Sequence, residues 1–182
     1  MPRRGQGRQW EEVCDNSRNV MQKNGLCHWF RLQPPVLKVG VGTRDQKGSF
    51  LAVYTGKGPP DWVMLTGGVS ILGDDKDCKK APWRSSQVKP HQANDFDLHE
   101  RQGGIACVLL RMDDKSRWVI PWSRLKPLWK LKKSLCLYDI QQIGMPWASK
   151  EARNKKTQKI EQIPYDWLTP LLEFAREENI SD

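Results

Sequence analysis

The chain has 182 residues, a formal net charge of +9 and a sequence pI of about 9.4. That length is enough to bury a real core and makes one domain, residues 1–182, the default, while the basic balance favours a polyanionic partner. No apolar run approaches membrane-spanning length and Met1–Gly7 lacks the apolar core of a signal peptide, so nucleic acid outranks lipid and a cytoplasmic protein is expected.

Five cysteines stand at positions 14, 27, 78, 107 and 136, an odd number at wide spacing with no Cys-x-x-Cys. Neither a disulfide framework nor a zinc site is indicated, and His91 and His99 with Cys78 and Cys107 fit no zinc spacing. Cys14 and Cys107 sit in apolar patterns and read as small core residues.

Residues 1–7 form a basic leader in which Arg3 and Arg4, followed by Arg8, suit phosphate contact. Residues 8–24 predict an amphipathic helix: Trp10, Val13, Cys14, Ser17, Val20 and Met21 follow the spacing of one buried stripe, and Asn24-Gly25 stops it. Glu11, Asp15 and Arg18 form an adjoining face, and Glu11 reads either as a solvated residue or as an acid aimed at a site. Cys27–Leu32 predicts a strand ended by Pro34-Pro35. Val36–Val41 and Ser49–Thr55 flank a turn-forming middle, so residues 36–58 read as a basic hairpin arm carrying Arg44 and Lys47, with an ordinary surface hairpin as the plainer reading.

Two apolar runs around Thr66-Gly67-Gly68 predict a hairpin that Asp61 opens and Asp74 and Lys76 close. Strand alternation puts Asp74 and Lys76 on one face and Asp75 on the other. A twisted pair brings Asp61 to the same edge, so that two carboxylates converge beside a lysine. Hard oxygen ligands of this kind suit Mg²⁺, which takes one or two protein carboxylates. A metal beside a lysine can activate water and neutralise a phosphate. The plainer reading is a solvated hairpin end. Lys79, Lys80 and Arg84 follow, where an incoming phosphodiester would pass.

Lys89–Arg101 predicts a helix with Pro90 in its first turn and Gln92 near its start, read either as a residue orienting phosphate or water or as a cap. Ile105–Met112 is nearly continuous and apolar, as in a strand covered on both faces. Arg117–Pro121 pairs back on it. Trp122–Lys133 predicts a short helix broken at Pro127, Leu135–Ile140 a strand, Lys150–Lys159 a charged loop, and Thr169-Pro170 the N-cap and first residue of a last helix. The order predicts an α/β fold with a central mixed β-sheet flanked by helices.

Pro60-Asp61 followed by Asp74-x-Lys76 resembles the pattern of the PD-(D/E)xK nuclease superfamily. Further stretches resemble, in order, the RecU-type Holliday junction resolvases, with kinship to the archaeal-type resolvases. They are Gly7–Glu11, Pro34-Pro35-Val36, Pro90-His91-Gln92, Gly103–Val108 and Tyr165–Leu168. The resemblance spans roughly residues 4–176. It departs at Asp74, where many members carry glutamate, and finds no counterpart for 122–160.

The resemblance implies a restriction-endonuclease-like core with a protruding hairpin or stalk, and a homodimer whose two-fold axis suits a four-way junction. It implies Mg²⁺-dependent hydrolysis, with Mn²⁺ as the possible substitute. Asp61 and Asp74 would hold the metal with the backbone carbonyl of Asp75, Glu11 would complete the acidic cluster, Lys76 would position or activate water, and Gln92 would orient water or phosphate. Three rivals remain: a nuclease of the same fold acting on linear duplex, a non-catalytic DNA-binding protein, and an RNA-binding module using residues 122–133. Junction against linear DNA tests the first, and metal-dependent cutting tests the other two.

Overall fold

The computed structural model of the protein describes residues 8–41, 50–54, 56–113, 116–153 and 160–180. Its centre is the apolar run Ile105–Met112, strand β7, in which alternate side chains feed two separate cores. Ala106, Val108, Leu110 and Met112 point into one, and Cys107 and Leu109 into the other. A strand without a polar face needs cover on both sides, and helices supply it.

The sheet around β7 has six strands, and its first members in the chain are β1 (His28–Arg31), β4 (Trp62–Thr66) and β5 (Val69–Cys78). Beyond β7 lie β8 (Ser116–Pro121) and β10 (Met145–Pro146), giving the order β1-β4-β5-β7-β8-β10. Only β5 and β7 run parallel, joined through helix α2 (Pro90–Arg101); the other pairs are antiparallel. The sheet is therefore mixed, and helices flank it, as the sequence predicts.

Helix α1 (Arg8–Lys23) buries Trp10, Cys14, Ser17 and Met21 on one face of the sheet, together with Trp167 and with Leu168 and Leu171 of the last helix, α5 (Leu168–Ile180). The opposite face carries α2, α3 (Trp122–Lys130) and α4 (Leu137–Ile143), with Phe96, Trp122, Leu125 and Ile140 in its core. Strands β2 (Val36–Val41) and β3 (Phe50–Tyr54) pair in a two-stranded sheet of their own. A second such ribbon joins β6 (Trp83–Arg84) to β9 (Ser134–Leu135).

Four expectations change. Leu135–Ile140 is not a strand: β9 ends at Leu135, and α4 begins at Leu137 because Cys136 and Asp139 form a capping box, with the Cys136 N–H donating to Asp139 Oδ2 at 2.8 Å. The charged stretch 150–159 is not all loop, because β11 (Ala148–Arg153) pairs with β12 (Ile160–Asp166). The last helix starts before Thr169: Asp166 Oδ1 accepts the N–H groups of Leu168 and Thr169, both at 3.0 Å, and burial of Trp167 and Leu168 draws the helix start to that point. Helix α3 also runs through Pro127 instead of breaking there.

Gly73 decides how β4 lies on β5. An added Cβ would stand 1.9 Å from Cζ2 of Trp62, its register partner and one of the largest fully buried side chains. Gly73→Ala is expected to destabilise by about 3 kcal/mol and to lower the melting midpoint by about 6 °C or more, as overpacking does. Thermal unfolding followed by near-UV circular dichroism reads both the loss and the displaced indole; an unchanged midpoint would show that Trp62 repacks freely.

Candidate active site

The β4–β5 ladder ends where Trp62 faces Gly73. One residue earlier, Asp61 leaves the ladder and replaces a backbone partner with its side chain: Asp61 Oδ2 accepts the N–H of Asp75 at 2.8 Å. Its own carbonyl accepts the N–H of Leu32 at 2.9 Å, which ties it to the end of β1. In a strand the N–H and C=O of one residue point to the same edge, so the Asp75 carbonyl faces the edge occupied by Asp61.

Alternation along β5 then separates its charges. Asp74 and Lys76 face α2 and form an ion pair with each other. The Asp74 side chain is fully buried, and its Oδ1 accepts from Gln92 Nε2 at 2.9 Å. Gln92 is fixed at both ends, because its Oε1 accepts the N–H of Lys89 at 3.0 Å. Burial pushes the Asp74 carboxyl up to about 8; Lys76 opposes the shift, and Asp61, close enough for a carboxyl–carboxyl hydrogen bond, adds to it.

Asp75 faces α1 and meets Arg18, which the helix carries into the core with no exposed side-chain surface. The guanidinium donates to both carboxylate oxygens, at 3.1 and 2.8 Å, and Trp62 Nε1 adds a third bond at 2.8 Å. Its central carbon lies 4.8 and 4.9 Å from the ring centroids of Trp29 and Trp62. The network continues outward through Asp15, which accepts from Arg18 and from Arg31, each at 2.6 Å. Burial raises the Asp75 carboxyl and Arg18 opposes the shift.

The structure thus gathers Asp61, Asp74, Lys76 and Gln92. The Asp75 carboxylate is committed to Arg18, leaving only its carbonyl on the site edge. Glu11 is nearby, but its carboxylate pairs with Arg31 at 3.4 Å; burial raises its carboxyl, Arg31 opposes, and Asp61 and Asp75 add to the rise. Lys79, Lys80 and Arg84 are exposed beyond the end of β5. Arg3, Arg4, Arg44 and Lys47 lie outside the described residues, as does the side chain of Arg8. Arg18 is the residue the sequence reading missed, because a charged residue beside a helical stripe looks like part of a solvated face. Its spacing of i, i+4 from Cys14 was the available signal.

Among the described residues, no three His, Cys, Asp or Glu side chains are arranged to hold a metal. The donor set is two contacting carboxylates, Asp61 and Asp74, and one carbonyl edge. These are hard oxygens, and a buried carboxyl pushed up to about 8 is one that a cation would relieve. The set fits Mg²⁺. A pocket of about 710 Å³ is elsewhere: Thr66, Gly67, Gly104 and Ile105 line it at the opposite end of β5 and β7.

A mixed sheet covered by helices on both faces defines the class, an α/β protein. More particularly, the family model described as recombination protein U (RecU) matches residues 5–165, and the chain belongs to that family. No curated protein matches the chain. Among solved structures it is similar to Hjc of Archaeoglobus fulgidus, a Holliday junction resolvase from an archaeal hyperthermophile. The identity is 14% over 74% of this chain and 98% of that one, with a TM-score of 0.41.

Asp74→Asn keeps the oxygen that accepts from Gln92 and removes the buried charge. With a folded value of about 8 against an ordinary 3.8, ionisation of Asp74 drains stability from the metal-free parent as pH rises between those values. In EDTA the variant is therefore expected to melt several degrees above the parent at pH 8–9, the advantage shrinking to nothing near pH 4. Equal midpoints across the range would mean that Lys76 fully offsets the burial.

Proposed function

We propose that the chain is a Mg²⁺-dependent, structure-selective endodeoxyribonuclease. It resolves four-way DNA junctions by paired symmetric nicks, as a homodimer, in recombination and repair. It works in the cytoplasm of a bacterial cell or a phage-infected host. The observation that carries this reading is the contact of Asp61, Asp74 and Lys76 at the edge where β4 parts from β5, in a member of the RecU family.

Asp61 and Asp74, with the Asp75 carbonyl, would hold Mg²⁺, or Mn²⁺ in its place. The metal would supply Lewis-acid activation of water and neutralisation of the phosphate. Lys76 positions the attacking water from the site side of β5 and stabilises negative charge as the phosphate is attacked. Gln92 acts one step back, holding the Asp74 carboxylate in orientation. Glu11 joins the acidic cluster only by releasing Arg31. Phosphate contacts fall to Arg3, Arg4, Arg8, Arg44, Lys47, Lys79, Lys80 and Arg84, and such contacts do not read sequence. Junction preference then comes from shape, and the arm at 36–58 is the segment to enter the crossover. Two sites related by a two-fold axis match the two opposed strands that must be cut.

Incubation with an immobile four-way junction and with matched linear duplex, each in Mg²⁺ and in EDTA, tests this. Paired Mg²⁺-dependent cuts on opposing strands of the junction alone are expected. Asp61→Asn and Lys76→Ala should each lose cutting by at least about a hundredfold while binding the junction within a few-fold of the parent, as loss of electrostatic catalysis does. Parent-like cleavage by Asp61→Asn rejects the assignment. Cutting of linear duplex at the same rate removes the junction specificity.

The separate duties of the Asp75 carbonyl and carboxylate give a second test. Arg18→Met alone should destabilise by about 3–5 kcal/mol, because it strands a buried carboxylate. Arg18→Met with Asp75→Leu should recover most of that and still cut junctions in Mg²⁺. A stable but inactive double variant would show that the Asp75 carboxylate itself serves the reaction.

A further inference from the structure

The stretches 78–94 and 115–138 contain lysines and arginines but no aspartate or glutamate. They are far apart in sequence, yet the fold binds them together. Trp83 pairs with Leu135 and both are buried, while their ribbon neighbours Arg84 and Ser134 are exposed. The Lys133 carbonyl accepts from Ser85 N at 3.1 Å and from Ser85 Oγ at 2.9 Å. Trp129 Nε1 donates to the Val88 carbonyl at 2.9 Å.

The turn that presents Lys132 and Lys133 is fixed. Lys132 N donates to the Trp129 carbonyl at 2.9 Å and Lys133 N to the Leu128 carbonyl at 3.1 Å. Lys132 has φ of 52°, a conformation unfavourable for a non-glycine residue that persists where the surroundings over-determine it. Both lysines are exposed, and Arg84 and Lys89 are exposed on the strand and loop bonded to them. A face of like charges repels itself, and no side chain of this turn enters the catalytic cluster. A rigid cationic turn is suited to a polyanion, with Asp139 at the start of α4 the acidic group that feels Lys133.

The chain from Arg84 to Gln92 spans at most about 28 Å even when extended. That is less than one turn of B-DNA, about 34 Å. The ribbon therefore lies within about one helical turn of a phosphate placed at Asp74.

We infer that the β6–β9 ribbon and the turn at Lys132-Lys133 form a phosphate-gripping platform for the duplex arm that flanks the scissile bond. The inference rests on the junction-nuclease reading and adds a substrate-contact surface in a stretch for which the resemblance read from the sequence found no counterpart, although the family match runs through it. Lys89 and the two turn lysines extend the cationic strip that Lys79, Lys80 and Arg84 begin.

The test is equilibrium binding of a fluorescent immobile junction in EDTA, by anisotropy, from about 50 to 200 mM KCl, where each phosphate contact contributes a slope of about −0.9 in log K against log salt. The comparison is between the parent, Lys132→Asn with Lys133→Ala, and Lys23→Ala on α1. Asparagine tolerates the left-handed conformation, so the double variant keeps the turn, and its melting midpoint should match the parent's. The platform predicts a slope shallower by nearly 2 in the double variant and unchanged in Lys23→Ala. An unchanged slope in a double variant that melts like the parent overturns the platform and leaves the nuclease reading intact. A parent that binds the junction without salt dependence overturns both.

Discussion

The buried pair between Arg18 and Asp75 holds this molecule in its working arrangement. Two charges taken out of water gain little net stability, but a partner removed leaves the other uncompensated, which costs several kcal/mol. The pair therefore acts mainly on specificity. It fixes α1 against β5 through a bidentate contact, stacks the guanidinium between Trp29 and Trp62, and dictates the face that Asp75 takes. A slip of β5 by one residue would present Asp74 or Lys76 to Arg18 and turn Asp75 towards α2. The one slip sets Lys76 against Arg18 and the other pulls Asp74 away from Gln92, so the register observed is preferred.

With Asp75 held, the remaining charges follow. Asp74 and Lys76 must face α2, where Gln92 receives Asp74 at the helix start. The ladder between β4 and β5 stops at Gly73 because the Trp62 ring occupies the space a side chain there would need. Past that point β5 has an open backbone edge, and Asp61 meets it with a carboxylate instead of a carbonyl. The acidic cluster is thus built where a sheet stops pairing. That position gives rigid strand support, with the Asp74 side chain fully buried and Asp61 only partly so.

Much of this was legible from alternation alone. The period of two along Val69–Cys78 separates Asp75 from Asp74 and Lys76, and the helical stripe of α1 orients its buried face correctly. The unbroken apolar run of β7 marks a strand with two covered faces. What was not legible depended on tertiary partners. Arg18 is buried because two tryptophans and a carboxylate wait for it, and two of those lie far away in sequence. Gln92 reads as a cap and is one, but its other end reaches Asp74 across eighteen positions. Glu11 was a candidate ligand through the family resemblance; Arg31, brought beside it by β1, takes its carboxylate. The residues 135–140 alternate like a strand, and a local capping box outweighs that pattern.

The energetics of Asp74 argue that the cluster is not there for the fold. Its carboxyl is buried against Asp61, another carboxylate, and burial outweighs the attraction of Lys76, so the charged form is disfavoured at neutral pH. A core selected only for stability would place an apolar residue or an amide there, since Gln92 could bond to asparagine equally well. The sheet instead retains a carboxyl whose ionisation costs stability, and sets it beside the carboxylate of Asp61. The same cost becomes affinity once positive charge arrives, because the state relieved by binding is the one that was strained before it. Aspartate's short side chain makes this sharper than glutamate would: the carboxylate stays at the sheet surface, out of solvent, where neither water nor a flexible stem can dissipate the field.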